Sequence, residues 1–263
     1  MLHIFSLIFL ALALILTIAY FMQRRRLDPI RVTMTSSIAE VQELVQAFAD
    51  YTSEKVFRQI VEVKGRVASV APLIAPLSEN ACVYYDLRVS WEYEEIIYEE
   101  KPGDERLEHK REGEEQLAEE RQWQTFFVRD DTGEIAVAPA GCEVIASESL
   151  SRHEEDAGLP EETIRCGRFS LEAPWKTSVE ERRPLRFHFE EKTIPLGSEI
   201  YILAEATNAG GELRLQKPAS GGRFLISVKP EEELLRSGQF STWALLAGAI
   251  LCGIIGMALL VWA

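Results

Sequence analysis

Two apolar runs, one near each end, limit what this chain can fold into more than any other feature. Residues 2–22 and 243–263 contain no Asp, Glu, Lys or Arg. Each run is about 20 residues long, and a helix that rises about 1.5 Å per residue then spans the ~30 Å hydrocarbon core of a bilayer. We therefore predict two transmembrane helices, at residues 2–22 and 242–263, with the remainder of the chain outside the bilayer.

The residues that flank the first run favour one orientation. Three consecutive basic residues, Arg24, Arg25 and Arg26, follow the run, whereas a cleaved signal peptide has its basic residues before a shorter apolar core. The run is therefore interpreted as a permanent span. Because Lys and Arg are enriched on the cytoplasmic side of membrane spans, the soluble domain is predicted to be cytoplasmic, with both termini outside.

The second run is rich in small residues. Ala249 and Gly253 are four residues apart and so share one helix face, a spacing that lets two helices approach closely. We expect helix–helix association through these two residues, either within the chain or with a neighbouring protein. Ordinary membrane composition is the alternative explanation, since Gly is common in such helices.

The residues between the two runs are strongly acidic. They hold all 42 acidic residues and, once the three arginines are set aside, 25 of the 28 basic ones, which gives a formal charge of −17. Such a charge argues against nucleic-acid binding and against broad adhesion to anionic lipid. We predict a basic juxtamembrane segment and an amphipathic helix over residues 23–56, followed by a single β-rich domain over residues 57–241.

The helix prediction rests on a capping signal and a periodicity. Ser37 is followed three residues later by Glu40, the arrangement of a capping box. Apolar residues then recur at helical spacing, and we expect this face to pack on the domain or on the membrane surface; they are Ile38, Val41, Leu44, Val45 and Phe48.

The β-rich prediction starts from residues 59–93. Alternating β-branched and aromatic residues predict strands over residues 59–71 and 81–93, joined by a Pro-rich connector. Further strands, separated by Gly-rich turns, are predicted over residues 122–128, 134–139, 185–190, 199–205, 212–216 and 223–228, and a short helix over residues 231–236 leads into the second span. The predicted fold class is a β-rich α+β domain with a mainly antiparallel, barrel-like sheet, flanked by two transmembrane helices.

A strongly charged segment, residues 94–121, follows the second strand. Pro102, Gly103 and Gly113 indicate turns, so we predict two strand extensions with a solvated tip, a charged projection from the domain. A charge run is most often a solvated face. The functional alternative is an acidic docking surface for a partner.

One triplet resembles a catalytic motif. Asp131, Thr132 and Gly133 match the active-site sequence of aspartic proteases, whose chemistry needs two carboxylates that share a proton. The sequence has no second triplet, so a protease would have to be a symmetric dimer. Because the triplet lies between two predicted strands, a tight hairpin turn is the preferred interpretation.

The cysteines and histidines do not form a recognisable site in the sequence. Cys142, His153 and Cys166 are ten and twelve residues apart, without the close spacing of a zinc site. His109 and His188 are interpreted as isolated residues, and residues 154–156 as a loop. We predict no catalytic, cofactor-binding or metal-binding residues, and we interpret Cys82 as a buried core thiol.

Several stretches, taken in order, resemble the GIDE family, also called the BAM (beside-a-membrane) domain family. They are Val63-Lys64-Gly65, Pro76-Leu77-Ser78, Cys82-Val83-Tyr84-Tyr85, residues 123–127, Asp131-Thr132-Gly133, residues 195–201 and Phe224-Leu225-Ile226-Ser227. The layout of span, β-rich domain and span is also similar. Well-known members are mitochondrial outer-membrane E3 ubiquitin ligases, in which the corresponding domain lies between the membranes. The arginines behind the first run favour the opposite orientation here.

The resemblance implies a transferase whose parts are missing from this sequence. In the ligases a zinc-binding RING follows the second span and recruits the ubiquitin-loaded E2, and no residue here matches its ligands. We expect no transferase activity from this chain alone and no cofactor. The preferred hypothesis is a two-span membrane protein whose domain binds or scaffolds unknown proteins, through residues 94–121 and the exposed parts of Trp91 and Tyr93. The alternative is a ligase-family protein that acts with a separate catalytic module.

Overall fold

Three helices and fourteen strands make up the computed structural model, which describes residues 2–32, 35–51, 56–100, 106–155, 163–172 and 182–261. The helices are α1 (Leu2–Val32), α2 (Ile38–Tyr51) and α3 (Glu231–Val261). The strands are β1 (Arg58–Ala68), β2 (Leu73–Ile74), β3 (Ala81–Glu100), β4 (Arg106–Trp123), β5 (Phe126–Arg129), β6 (Glu134–Val137), β7 (Glu143–Ile145), β8 (Ser147–Glu155), β9 (Thr163–Cys166), β10 (Phe169–Glu172), β11 (Arg182–Pro195), β12 (Glu199–Thr207), β13 (Arg214–Gln216) and β14 (Leu225–Ser227).

Five strands close into a barrel. The hydrogen-bonded order is β1-β5-β6-β13-β12, and β12 pairs back with β1. The β6–β13 pair is parallel, and the other four pairs in the ring are antiparallel. Numbered along the chain, these strands follow the order 1-2-3-5-4 and return to 1, which is the connectivity of an OB barrel. The predicted β-rich, mainly antiparallel, barrel-like fold is confirmed.

The central strand of the barrel is β12. Eight of its nine residues, 200–207, are buried. One edge pairs with β1, while the other pairs with β13 and, further along, with β14. Ile202 faces the main core, whereas Leu203 packs with Tyr201 and Leu225 on the opposite side. Burial of both faces explains why this strand is a nearly continuous apolar run.

A second sheet is inserted into the loops of the barrel. It consists of β2, β3, β4, β8 and β11, with β3 paired to β11 on one edge and to β2 and β4 on the other. Its inner face is apolar, and the small β9–β10 hairpin contributes to the same core. Trp91 belongs to this core and is only 2% exposed, so the expectation of an exposed Trp91 is wrong. Alternation along β3 turns this residue inward together with Leu87 and Val89.

The Pro-rich connector between β1 and β3 crosses from one sheet to the other. It is held by Glu191, which is fully buried on β11. The Glu191 carboxylate accepts hydrogen bonds from Leu77 N–H (2.7 Å) and Ser78 N–H (3.1 Å), from the Ser78 hydroxyl, and from the Ser149 hydroxyl (3.0 Å). A buried carboxylate is tolerated where it is hydrogen-bonded in this way. The strands predicted around the connector both exist, but they belong to different sheets.

One predicted strand is wrong because the chain crosses from one sheet to the other within it. The strand predicted over residues 122–128 is two strands, because β4 ends at Trp123 in the inserted sheet and β5 begins at Phe126 in the barrel. Gln124 makes the crossing, donating its N–H to Val83 O (3.2 Å) and its side-chain amide to the Ser69 hydroxyl (2.9 Å). The strands β7 to β10 were not predicted, and residues 154 and 155, interpreted as a loop, lie in β8; residue 156 lies outside the described residues.

Gly113 is not a turn residue. It lies inside β4 opposite Tyr93, and a Cβ at this position would be 2.7 Å from the Tyr93 ring. Glycine is therefore needed to admit the aromatic side chain across the strand pair. The other predicted turn, at Pro102 and Gly103, lies outside the described residues. The described parts of residues 94–121 form the predicted pair of strand extensions.

The helix α2 begins where the capping signal predicted, and it packs on the barrel. Ser37 N–H donates to Glu40 Oε2 (2.8 Å), and Glu40 N–H donates to Ser37 Oγ (3.3 Å), which completes the capping box. Ile38 and Val41 are buried in the main core. Of the two alternatives, the apolar face of α2 therefore lies against the domain.

Both terminal helices extend beyond their apolar stretches. His3–Arg24 and Trp243–Val261 are long and apolar enough, by length and composition, to cross a membrane. The short helix predicted over residues 231–236 is the first part of α3, not a separate element. The two helices contact each other, with the Ser6 hydroxyl donating to Gly256 O (2.9 Å). A Cβ on Gly256 would lie 3.0 Å from Leu10, whereas Gly253 has no such neighbour within 4 Å.

Closure of the barrel depends on Gly65. β1 pairs with β12 as far as Arg66, and its pairing with β5 begins at that same residue, next to Gly65. A Cβ on Gly65 would lie 2.7 Å from both Arg129 O and Val128 Cγ1. The close approach of the two backbones therefore requires glycine.

We expect Gly65→Ala to lower the free energy of unfolding by about 1–3 kcal/mol, the usual cost of overpacking. Gly210→Ala is the matched control, because its added Cβ would meet only the flexible end of the Arg214 side chain. Denaturant unfolding of the full chain in detergent micelles measures both variants. Equal stabilities for the two variants would contradict the role assigned to Gly65.

Candidate functional site

The outward side of the inserted sheet carries rows of polar and charged side chains. We call it the polar face. Strand pairing aligns its side chains in rows that run across β8, β11, β3 and β4. One row contains His153, His188, Ser90 and Gln116, and the next contains Ser151, Glu190, Arg88 and Glu119. Alternation places these residues opposite the inner face that holds Trp91.

Ion pairs cross the polar face between neighbouring strands. Arg121 Nη2 lies 2.7 Å from Asp86 Oδ2, and Arg88 lies 3.7 Å from both Asp86 and Glu119. The hydrogen bond with Asp86 contributes most to raising the pKa of Arg121 above its usual value. Exposed pairs of this kind contribute little each, but a network fixes side-chain positions. The polar face is therefore an ordered array of charges.

A shallow hollow of about 340 Å³ lies on the polar face. Its lining combines both charges with neutral donors and comprises Arg88, Ser90, Glu114, Gln116, His188 and Glu190. Ser90 donates its hydroxyl to Glu114 (3.1 Å). The hollow thus offers hydrogen-bonding groups to a surface partner rather than an enclosed chamber for chemistry.

The paired strands β3 and β4 extend beyond the rest of this sheet. Among the described residues, the last of β3 that pairs with β11 is Glu95, whereas β3 and β4 remain paired out to Glu100 and Arg106. At its base the extension is supported by Tyr93, whose ring lies 5.0 Å from that of Trp91 and 4.6 Å beneath the Arg182 guanidinium. We call residues 94–121 the acidic hairpin.

A larger cleft of about 790 Å³ lies at the barrel, between the β5–β6 turn and the start of α3. It contains cations, but several of them are already paired with carboxylates. Arg66 lies 3.5 Å from Glu199, and Lys229 Nζ lies 2.6 Å from Glu233. The arrangement does not concentrate positive charge for an anionic ligand.

The Asp131-Thr132-Gly133 triplet forms the β5–β6 turn, as preferred from the sequence. The preceding residue, Asp130, organises the turn: its Oδ1 accepts hydrogen bonds from the N–H groups of Thr132 (2.7 Å) and Gly133 (2.9 Å) and from the Thr132 hydroxyl (2.6 Å). Asp130 Oδ2 accepts from Ile38 N–H (2.8 Å), the first residue of α2. The turn thus holds the helix N-terminus.

The charge state of Asp130 follows from these contacts. Burial alone would raise the pKa of Asp130, but the hydrogen bonds from Thr132, Ile38 and Gly133 outweigh burial and lower it below its ordinary value. An ionised carboxylate at a helix N-terminus is favourable. The geometry explains the triplet as a capping turn.

The cysteines of the domain lie in apolar surroundings. Burial raises the pKa of Cys82 to about 11, with a further contribution from Glu191, and burial raises the pKa of Cys142 to about 12. Both thiols stay protonated at neutral pH and are poor nucleophiles. Cys82 is fully buried, which confirms its interpretation as a core thiol.

Comparison with family models identifies the family to which the chain belongs. The GIDE model, described as E3 ubiquitin ligase, matches residues 94–261. The match covers more than half of the 263 residues. The chain belongs to the GIDE family. The match confirms the resemblance to this family noted in the sequence. Searches of curated proteins and of solved structures gave no match.

The GIDE match links the chain to E3 ligases. Within the described ranges no group of three or more His, Cys, Asp or Glu side chains is placed to hold a metal ion. A structural zinc site has four such ligands. The family link therefore comes without zinc-binding geometry in this part of the chain.

One close contact was missed by the sequence reasoning. His188, interpreted as isolated, lies directly opposite His153 on the neighbouring strand, with 3.1 Å between their Nδ1 atoms. The pairing depends on β8, whose sequence, SESLSRHEE, has few apolar residues and little strand signal. Leu150, which lies between two serines, is the apolar residue of this stretch and gives a weak signal for a strand.

We expect Asp130→Ala to lower the free energy of unfolding by about 1–3 kcal/mol, because it removes the acceptor for Ile38 N–H at the start of α2 and several hydrogen bonds to a charged group within the turn. The folded pKa is lowered, so the contribution is present above the unfolded value of about 3.9 and is lost as the pH falls through the folded pKa. The difference from wild type should therefore shrink in acid, as followed by denaturant unfolding at several pH values.

Asp131→Ala is the neighbouring control, and it should leave stability nearly unchanged. A large loss for Asp131→Ala, or a small one for Asp130→Ala, would contradict the capping role. Proteolysis that depended on Asp131 would restore the protease interpretation.

Proposed function

We propose that this GIDE-family chain is a two-span membrane protein whose domain, residues 57–241, docks basic protein partners beside the membrane. The observation that carries the proposal is the acidic hairpin, which continues as a paired ribbon past the last contact with β11. A ribbon that leaves its own sheet buries little of its surface within the domain. In the described part of β4, most side chains are exposed and so available to a partner.

Charge supports a basic partner. Residues 94–121 contain twelve acidic and five basic residues, a net formal charge of −7. Side chains along the described part of β4 are mostly exposed. A concentrated negative surface speeds encounter with a positive one and disfavours acidic competitors.

The form of β4 favours recognition through side chains. Its outer edge has no strand partner among the described residues. An exposed edge can recruit another strand, but charged side chains suppress such pairing. The charges on β4 thus protect the edge and leave electrostatic docking as the favoured mode.

The base of the hairpin supports a fixed orientation. Arg182 Nη1 lies 3.1 Å from Glu115, on β4, and its guanidinium stacks on Tyr93, on β3. The partly buried Tyr93 is the part of the predicted Trp91–Tyr93 surface that stays near solvent. A projection held at its base loses less conformational entropy when a partner binds.

The proposed location follows from the flanks of α1. Arg24, Arg25 and Arg26 favour a cytoplasmic domain with both termini on the opposite side. Both apolar stretches are long enough to span. The acidic hairpin would then face cytosolic proteins.

The family match favours a second candidate function. The chain would present a client or a ubiquitin-loaded E2 to a separate catalytic module, as part of an E3 ubiquitin ligase system. Ubiquitin transfer in a reconstituted assay distinguishes the two proposals. Transfer that requires this chain and an added RING-containing protein supports the second, whereas partner binding without any effect on transfer supports simple docking.

We expect the triple variant Glu99→Gln, Glu108→Gln and Glu112→Gln, all near or beyond the end of the β3–β11 pairing, to lose partner binding by roughly fivefold or more, since exposed charge pairs contribute about 0.2–1 kcal/mol each. Binding is measured by site-specific photocrosslinking from position 115 in cells, and crosslinking to wild type should weaken as salt is raised after lysis.

The matched control is Glu43→Gln, Glu148→Gln and Glu212→Gln, which removes the same charge from exposed positions elsewhere. It should crosslink as wild type does. Equal losses in both triple variants would show that net charge matters and the hairpin does not, and unchanged crosslinking in the hairpin variant would refute the proposal.

Topology is tested by cysteine labelling with a membrane-impermeant reagent. In Glu112→Cys the thiol should be protected in intact cells and labelled after permeabilisation, whereas a cysteine in a short polar extension added ahead of Met1 should be labelled in intact cells. The native chain measures the background labelling of its own cysteines. Cys82 and Cys166 are buried, whereas Cys142 and Cys252 are partly exposed. The reverse pattern would place the domain on the outer side and overturn the proposed orientation.

A further inference from the structure

The two histidines on the polar face form a close pair. His153 and His188 are directly opposite each other in the antiparallel β8–β11 pair. Their rings are stacked, with 4.2 Å between centroids and 27° between planes, and their Nδ1 atoms are 3.1 Å apart. Neither histidine has a role in the docking surface proposed above.

The separation of the two nitrogens matches a shared metal ion. Zinc–imidazole bonds are about 2.0–2.1 Å long, so two nitrogens on one ion are about 2.9 Å apart at a right angle and about 3.4 Å apart at the tetrahedral angle. The observed 3.1 Å falls between these values. Neutral imidazole is also the commonest protein ligand for such metals.

The strands hold the pair in place before any ion binds. Phe187 and Phe189, on either side of His188, are buried in the core of the inserted sheet. Their burial fixes the direction in which His188 leaves the strand. Ligands held in position by packed neighbours bind a metal with less reorganisation.

From this geometry we infer that His153 and His188 form a binding site for one divalent transition-metal ion, which both Nδ1 atoms ligate. Elsewhere in the described ranges no third His, Cys, Asp or Glu completes a ligand cluster, so water fills the remaining positions. The site is therefore open, unlike a structural zinc site with four protein ligands.

The charges beside the pair are of both signs. Glu190, two residues along β11, forms an ion pair with Lys192, whose Nζ lies 2.6 Å from Glu190 Oε1. Glu190 and Glu114 both line the adjacent hollow, where Arg88 offsets part of their charge. Solvent reaches the pair, since His153 is exposed.

Zinc titration of the full chain tests the site. The protein is purified in detergent without a polyhistidine tag, stripped with EDTA, and titrated with Zn²⁺ by calorimetry. We expect one equivalent to bind, with affinity reduced about tenfold or more in His153→Gln and in His188→Gln, the usual effect of altering a metal site. His109→Gln, an exposed histidine on β4, is the control and should bind as wild type does.

Unfolding midpoints in EDTA establish that the variants are folded, and Zn²⁺ should raise the midpoint of wild type and of His109→Gln but not of the two site variants. No zinc binding by wild type would overturn the inference. Binding of equal affinity in His188→Gln, or an equal loss in His109→Gln, would overturn it as well.

Discussion

The burial of β12 on both faces and its pairing on both edges is the constraint on which the rest of the structure depends. A strand in this position has to be apolar on both sides, and residues 200–207 are buried. Its edges determine where β1, β13 and β14 can lie. The barrel closes because β1 pairs with both β12 and β5, the two pairings meeting at Arg66 beside Gly65. The inserted sheet and both terminal helices are attached to this ring.

Sequence patterns predicted local structure well where one face of a segment is buried. The capping box at Ser37, the alternation before Gly65 and the turn after Asp130 each depend on residues near one another in the chain. The assignment of strands to two sheets could not be predicted, because it depends on distant contacts such as those of Glu191 with the connector. The His153–His188 pair was missed because β8 carries little apolar alternation.

Structural support and the proposed functions lie in different parts of the domain. The barrel carries α2, the capping turn at Asp130 and the connections to both terminal helices, so it gives the domain its stability. The inserted sheet carries the acidic hairpin, the polar face and the histidine pair, which are the features that a partner or an ion would meet. Because the inserted strands arise in loops of the barrel, surface changes there do not alter barrel packing.

The position of β1 has a consequence for where this domain can be cut. The GIDE match begins at residue 94, within β3, whereas β1 ends at Ala68. A fragment that starts at the match therefore lacks the strand that completes the ring and retains only part of β3. The edge of β12 that pairs with β1 would then be open to strands of other molecules, an arrangement prone to aggregation. The boundary of sequence similarity is thus not the boundary of the folding unit.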